Sequence, residues 1–207
     1  MIAIVDYGVG NLFSLKCSLQ AIGAEVTVTG DAQTLKRAGK LILPGVGAFE
    51  DAAKKLRDTG LDTVIKEEAA RGKPILGICL GMQLLFEKSY EYGEHPGLGL
   101  IPGSVVPMEG LLPRELKIPH IGWNALRIKK SSPLFRRIAD GDCVYFVHSY
   151  FAAHCEDFVI AGTEYGQWLT AAVQRENVFG CQFHPEKSGA VGLNILRAFA
   201  EMEELPC

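Results

Sequence analysis

The chain lacks any segment able to cross a bilayer. Its longest mostly apolar stretch, residues 74–86, is broken by Gly77, Gly81 and Gln83. It falls short of the ~20 residues that a spanning helix needs. A basic stripe is missing too: 21 Lys and Arg stand against 24 Asp and Glu, for a net charge of −3. That balance excludes a protein held to nucleic acid by charge. The doublets Lys54-Lys55, Glu67-Glu68, Lys129-Lys130 and Arg136-Arg137 read as solvated surface. No basic residue precedes the first apolar run, MIAIVD, which therefore reads as a strand and not as an export signal. None of the six cysteines (17, 79, 143, 155, 181 and 207) pairs as C-x-x-C, and no His/Cys cluster has the spacing of a metal site. They read as reduced thiols of a cytoplasmic protein, most of them buried. Repeats, low-complexity segments and linkers are absent, so 1–207 is expected to be one domain.

What is present is alternation. Apolar runs at 2–5, 25–28, 40–43 and 74–78 read as buried strands. Between them lie helical stripes. Asn11 can cap one carrying Leu12, Leu15, Leu19 and Ile22, and Leu61, Val64, Ile65 and Ala69 form another. A helix is expected over 80–88. Strands over 142–146, 158–164, 168–175 and 177–183 have short links, with a hairpin turn at 174–177. The last helix is expected to start at Ser188 and bury Val191, Ile195, Leu196, Phe199 and Met202. This is an α/β pattern: a doubly wound, flavodoxin-like sheet, mixed but mostly parallel, with some antiparallel strands in the C-terminal half.

The sharpest motif is Gly77-Ile78-Cys79-Leu80-Gly81, between a strand and a helix. It is a nucleophile elbow with cysteine as the nucleophile. Glycines flank the turn because side chains there would clash. A helix N-terminus also favours the thiolate over the thiol. A thiol nucleophile needs a base oriented by a third group. His184, in Phe183-His184-Pro185-Glu186, ends a strand, and Glu186 two residues on would share its face if the segment is extended. His95 and His154 sit in polar loops and are expected to be exposed. His120 and His148 border apolar strands. Pro44-Gly45-Val46-Gly47 follows a strand with free backbone N–H groups. It can supply one oxyanion donor, and Leu80 N–H can supply another.

Together, G-I-C-L-G-M-Q, F-H-P-E-K-S and P-G-V-G resemble the class I (triad) glutamine amidotransferases. The starting D-Y-G-V-G-N-L, the segment I-P-H-I-G-W-N (118–124) and Y-F-V-H-S-Y (145–150) resemble one branch of that family, the glutaminase subunits of imidazole glycerol phosphate synthases. The resemblance implies Cys79 as nucleophile, His184 as base and acid, and Glu186 as its orienter. It implies Gly45, Val46 and Leu80 as the oxyanion hole. Gln83, Glu91, Ser149 and Tyr150 match positions that hold L-glutamine, with Glu94 a possible substitute for Glu91. Asn11, Trp123 and Lys187 match positions near a partner, a (β/α)8-barrel cyclase subunit in a heterodimer. That partner would receive the ammonia and form imidazole glycerol phosphate and an aminoimidazole carboxamide ribotide. No cofactor, metal, nucleic acid or membrane is implied.

Three other readings compete. An amidotransferase serving pyridoxal phosphate synthesis fits less well with Gly122-Trp123-Asn124 and Leu80. A triad hydrolase acting alone, such as a γ-glutamyl hydrolase, fits the triad equally. A non-catalytic flavodoxin-like module conflicts with an intact Cys79, His184 and Glu186.

Overall fold

The structure is a computed structural model that describes residues 1–202; Cys207 lies outside the described residues. The first part alternates strand and helix: β1 (Ile2–Val5), α1 (Leu12–Ala21), β2 (Val26–Thr29), α2 (Ala32–Arg37), β3 (Lys40–Leu43), α3 (Phe49–Asp58), α4 (Leu61–Ala70), β4 (Ile75–Ile78) and α5 (Leu80–Leu84). Strands then dominate. They are β5 (Phe86–Ser89), β6 (His95–Pro96), β7 (Ile101–Pro107), β8 (His120–Ala125), β9 (Arg127–Ile128), β10 (Cys143–His148), β11 (Tyr150–Ala153), β12 (Val159–Glu164), β13 (Trp168–Arg175) and β14 (Val178–Cys181). The helix α6 (Gly189–Ala200) follows them.

The main sheet has the order β2-β1-β3-β4-β14-β13-β12-β9. The first five strands run parallel, and β13, β12 and β9 are added antiparallel. This is the expected mixed α/β sheet. A second sheet, β11-β7-β5-β6, and a β8–β10 ribbon sit beside it. Alternation along β1 sorts the core. Ile2 and Ile4 join Leu15 and Leu19 of α1 and Ile195, Leu196 and Phe199 of α6. Ala3 and Val5 join Phe49 and Leu56 of α3, Ile65 of α4, and Phe86 and Ile101 of the second sheet. Each large apolar side chain fully buried this way contributes roughly 1.5–3 kcal/mol.

Several expectations change. The helix expected over 80–88 stops at Leu84, and the chain becomes strand β5, which pairs with β6 and β7. The helix α2 was not signalled, although Asp31 caps it by accepting Thr34 N–H at 2.7 Å. Neither was α3, whose N-cap Ala48 has no side-chain oxygen. Its first N–H, on Phe49, is instead accepted by the Glu91 carboxylate at 2.5 Å, which also sits well with the helix dipole. Ser188 does stand at the start of α6 but makes no cap bond. Its hydroxyl donates to His184 O at 2.6 Å and accepts Tyr145 N–H at 2.9 Å, tying the turn after β14 to β10. His95 is half-buried beside Glu50, not exposed, whereas His154 is exposed. Cys17 and Cys143 are exposed; Cys79, Cys155 and Cys181 are buried.

Candidate active site

The carboxyl ends of β3, β4 and β14 converge, the usual location of sites in doubly wound sheets. Cys79 follows β4 with φ 55 and ψ −114, a left-handed strained conformation for a side-chain-bearing residue. The flanking glycines are required by space. A Cβ on Gly77 would stand 2.7 Å from Gly81 O, and one on Gly81 would stand 1.8 Å from Leu43 O. The turn carrying Cys79 is locked to the end of β14, the strand leading to His184, since Cys79 N–H donates to Cys181 O at 2.8 Å. The Cys79 side chain is 8% exposed. It faces Val147 O at 3.9 Å and accepts a hydrogen bond from Gln182 Nε2 at 3.7 Å.

His184 lies three residues beyond β14, and its Nδ1 is 2.8 Å from Glu186 Oε1. Both side chains are 3% exposed. The segment is not extended as expected. Pro185–Lys187 forms a 3-10 turn, with Pro185 at its first position, and this turn folds Glu186 back onto the ring. Burial disfavours the imidazolium. Hydrogen bonds and charge from Cys79 and Glu186 outweigh burial and hold the His184 pKa up to about 9. At neutral pH the imidazole is therefore favoured in its protonated form.

Gly45, directly after β3, packs against the elbow. A Cβ there would meet Gly81 N at 2.8 Å and Leu80 Cβ at 2.9 Å. Leu80 is buried and Val46 is exposed. The buried Tyr7 hydroxyl donates to Pro44 O at 2.7 Å and pins the start of the loop. Burial, reinforced by Cys79, keeps that hydroxyl protonated.

Beside the elbow opens a cavity of about 470 Å³. Its walls include Gln83, Glu91, Ser149 and Tyr150, the four residues expected to hold substrate. Glu94 is not among the lining residues; it is exposed and pairs with Lys88 at 3.2 Å. The cavity also has walls that the sequence reading missed: Tyr92, Glu109, Val147 and His148. Gln182, beside the sulfur, was missed as well. Its available signal was a lone amide in the apolar run Phe179-Gly180-Cys181-Gln182-Phe183, and the structure buries it fully.

Away from the cavity, Trp123 is 54% exposed and packs edge-on against Tyr145, with its ring centroid 6.0 Å away. Lys187 Nζ lies 6.0 Å from the Tyr145 centroid. Asn11 is exposed and caps α1, which contacts the 185–187 turn. The three residues expected near a partner thus fall in one region. Phe13, 77% exposed, was not singled out. Among the described residues, no helix is long and apolar enough to cross a membrane, and no three His, Cys, Asp or Glu side chains could hold a metal ion.

The chain belongs to the class-I glutamine amidotransferases, whose family model matches residues 3–202. With that membership it is a glutaminase. It is 53% identical over 203 residues to "Imidazole glycerol phosphate synthase subunit HisH" of Caldanaerobacter subterraneus subsp. tengcongensis, covering 98% of each chain. The proteins of the same name from Oceanobacillus iheyensis and Aquifex aeolicus are 50% and 49% identical, covering 98% and 97% of this chain and 99% and 96% of theirs. Among solved structures, a chain of PurLQS from Thermotoga maritima superposes with a TM-score of 0.76 at 22% identity, covering 96% of both chains. A structure described as a glutamine amidotransferase gives 0.74 at 19%, covering 96% of this chain and 98% of that one. These two likenesses concern the fold alone.

Proposed function

We propose that the chain is the glutaminase subunit of an imidazole glycerol phosphate synthase and hydrolyses L-glutamine at Cys79. The observation that carries this reading is full-length identity of about half to proteins of that name, together with Cys79, His184 and Glu186 on one strand-end cluster. Glutamine enters the cavity with its ammonium toward Glu91 and its amide toward Gln83. Cys79 sulfur attacks the amide carbon, and backbone N–H groups of Gly45, Val46 and Leu80 hold the oxyanion. One such donor supplies roughly 3–4 kcal/mol in comparable enzymes. His184 gives its proton to the departing ammonia. It then takes a proton from the water that cleaves the γ-glutamyl thioester to release glutamate. The ammonia passes to a (β/α)8-barrel cyclase subunit, which joins this chain as a heterodimer.

Glu186→Gln keeps a hydrogen-bond acceptor for His184 but loses the charge. Glutamate release is expected to fall roughly 10- to 100-fold, less than in His184→Ala, since a positioned base is worth about 10²–10⁴. The pKa shift has a definite sign: a charge that favours the imidazolium is gone, so the His184 titration moves down from about 9. Histidine titration by NMR together with rate measurement checks this. An unchanged rate would mean that something else orients His184.

The partner assignment is tested at Trp123. Exposed tryptophans are common binding anchors. Trp123→Ala is expected to weaken association with the cyclase by about 2–4 kcal/mol. The melting temperature of the free chain should stay nearly unchanged, because the ring is half in solvent. The readout is glutamate release by wild type and variant as the cyclase is titrated in. A large drop in melting temperature with normal affinity would exclude the anchor role, and no response of the wild type to cyclase would exclude the subunit reading.

A further inference from the structure

Two histidines that this mechanism leaves unused lie in and behind the cavity wall: His148 lines it and His120 stands behind. His120 on β8 and His148 at the end of β10 are register partners across the ribbon, and both are buried. His120 Nδ1 is 3.1 Å from His148 Nε2, and His148 Nδ1 is 2.9 Å from Tyr150 O. A carbonyl only accepts, so His148 Nδ1 carries a hydrogen. Burial pushes the His148 pKa down to about 3, aided by the neighbouring His120 and His184 and only partly offset by the Tyr150 bond. Its neutral ring therefore has a bare Nε2 that must accept. The hydrogen between the rings belongs to His120 Nδ1. Burial lowers the His120 pKa as well, so both rings are neutral Nδ1–H tautomers, the minor form of a free imidazole.

The path continues toward the nucleophile. Tyr150 O also accepts from Gln83 Nε2 at 3.2 Å. The same Gln83 Nε2 donates to Gln182 Oε1 at 3.0 Å, and Gln182 Nε2 donates to Cys79 Sγ. At the far end the His120 ring stacks on Tyr165 and Phe146, with centroids 4.0 and 4.9 Å away. It is held in one plane, with its Nδ1–H aimed at His148.

We propose that His120 is a positioning residue for the glutamine-binding wall: its Nδ1–H fixes the tautomer of His148, which in turn holds the Tyr150 carbonyl against Gln83. His120 itself lines no part of the cavity. The proposal rests on the reading of that cavity as the glutamine site. The strand that carries His120 also turns Ile121 and Trp123 outward, so the proposed positioning residue and the proposed docking surface share one strand.

The test uses two substitutions and one spectrum. His120→Phe keeps a flat ring for the stack and removes the donor, whereas His120→Asn replaces the donor with an amide N–H. In the complex with the cyclase, His120→Phe is expected to raise KM for L-glutamine about tenfold with kcat within about twofold. That is the size expected when a buried acceptor loses its donor. His120→Asn is expected to bring KM back toward wild type. In nitrogen-15 spectra near neutral pH, the free wild-type chain is expected to show Nδ1 protonated and Nε2 bare on both rings. A proton on His148 Nε2 overturns the proposal, as does an unchanged KM in a folded His120→Phe. If that variant does not fold, the spectra decide. If wild type releases no glutamate while Nδ1–H is seen on both rings, the glutaminase reading has failed and not the tautomer chain.

Discussion

The Cys79→Ser chain is expected to lose glutamine-dependent synthesis by roughly 10³-fold or more, because a serine hydroxyl is a far weaker nucleophile than a thiol paired with a base. Synthesis from ammonium salt should survive, since that chemistry belongs to the cyclase. The paired measurement, glutamine against ammonium in one complex, separates loss of the nucleophile from loss of assembly. Alkylation with limiting iodoacetamide supplies a second reading. Cys155 and Cys181 are expected to stay unlabelled. Burial pushes the Cys155 pKa up to about 11 and that of Cys181 well above the ordinary thiol range. Substantial glutaminase activity in Cys79→Ser would remove Cys79 from its role.

Gly81→Ala should be nearly as damaging, for a different reason. Its new methyl would stand 1.8 Å from Leu43 O and 2.8 Å from Leu43 C, both backbone atoms that have no rotamer to change. Either the elbow or the chain leading into Pro44-Gly45 must move. Overpacking of this kind costs about 1–3 kcal/mol, and a clash with backbone atoms belongs at the upper end, which exceeds the ~1 kcal/mol that alanine brings to a helix. Movement of Gly45 disturbs a proposed oxyanion donor, and such a donor is worth about 10²–10³ in rate. The expected result is a melting temperature several degrees lower, at about 2–4 °C per kcal/mol for a chain of this size. A rate loss of at least about 10²-fold should persist well below the melting point. Wild-type activity would show that the loop after β3 does not need its present position.

The elbow was legible in the sequence because its constraint is local: two glycines, a cysteine, a strand before and a helix after. The alternation of apolar runs likewise revealed the parallel sheet, since strands buried on both faces, such as Lys40–Leu43 and Ile75–Ile78, leave little room for polar residues. Where partners come from afar, sequence reading failed. The cap of α3 is a carboxylate 42 positions away, so nothing at Ala48 announces a helix. Residues 86–89 suit a helix as well as a strand, and the edges of β6 and β7 decide the matter. Glu186 was paired with His184 correctly but by a different backbone route, because Pro185 begins a turn and does not extend the strand. Gln182 and the His120–His148 pair acquire their roles only through contacts across the fold.

The hydrogen bond from Cys79 N–H to Cys181 O has a consequence for the birth of the protein. The strand leading to His184, β14, inserts between β4 and β13, inside the sheet and not at its edge. Gln182, on that strand's exit, lies 103 positions beyond Cys79. A ribosome adding about 5–20 residues per second therefore takes several seconds or more to pass from the nucleophile to its base. Throughout that interval the sheet has no central fifth strand and the thiol has no imidazole. With His184 as the proposed base, a chain ending before position 184 is expected to release no glutamate from glutamine, and so to be no uncontrolled source of ammonia.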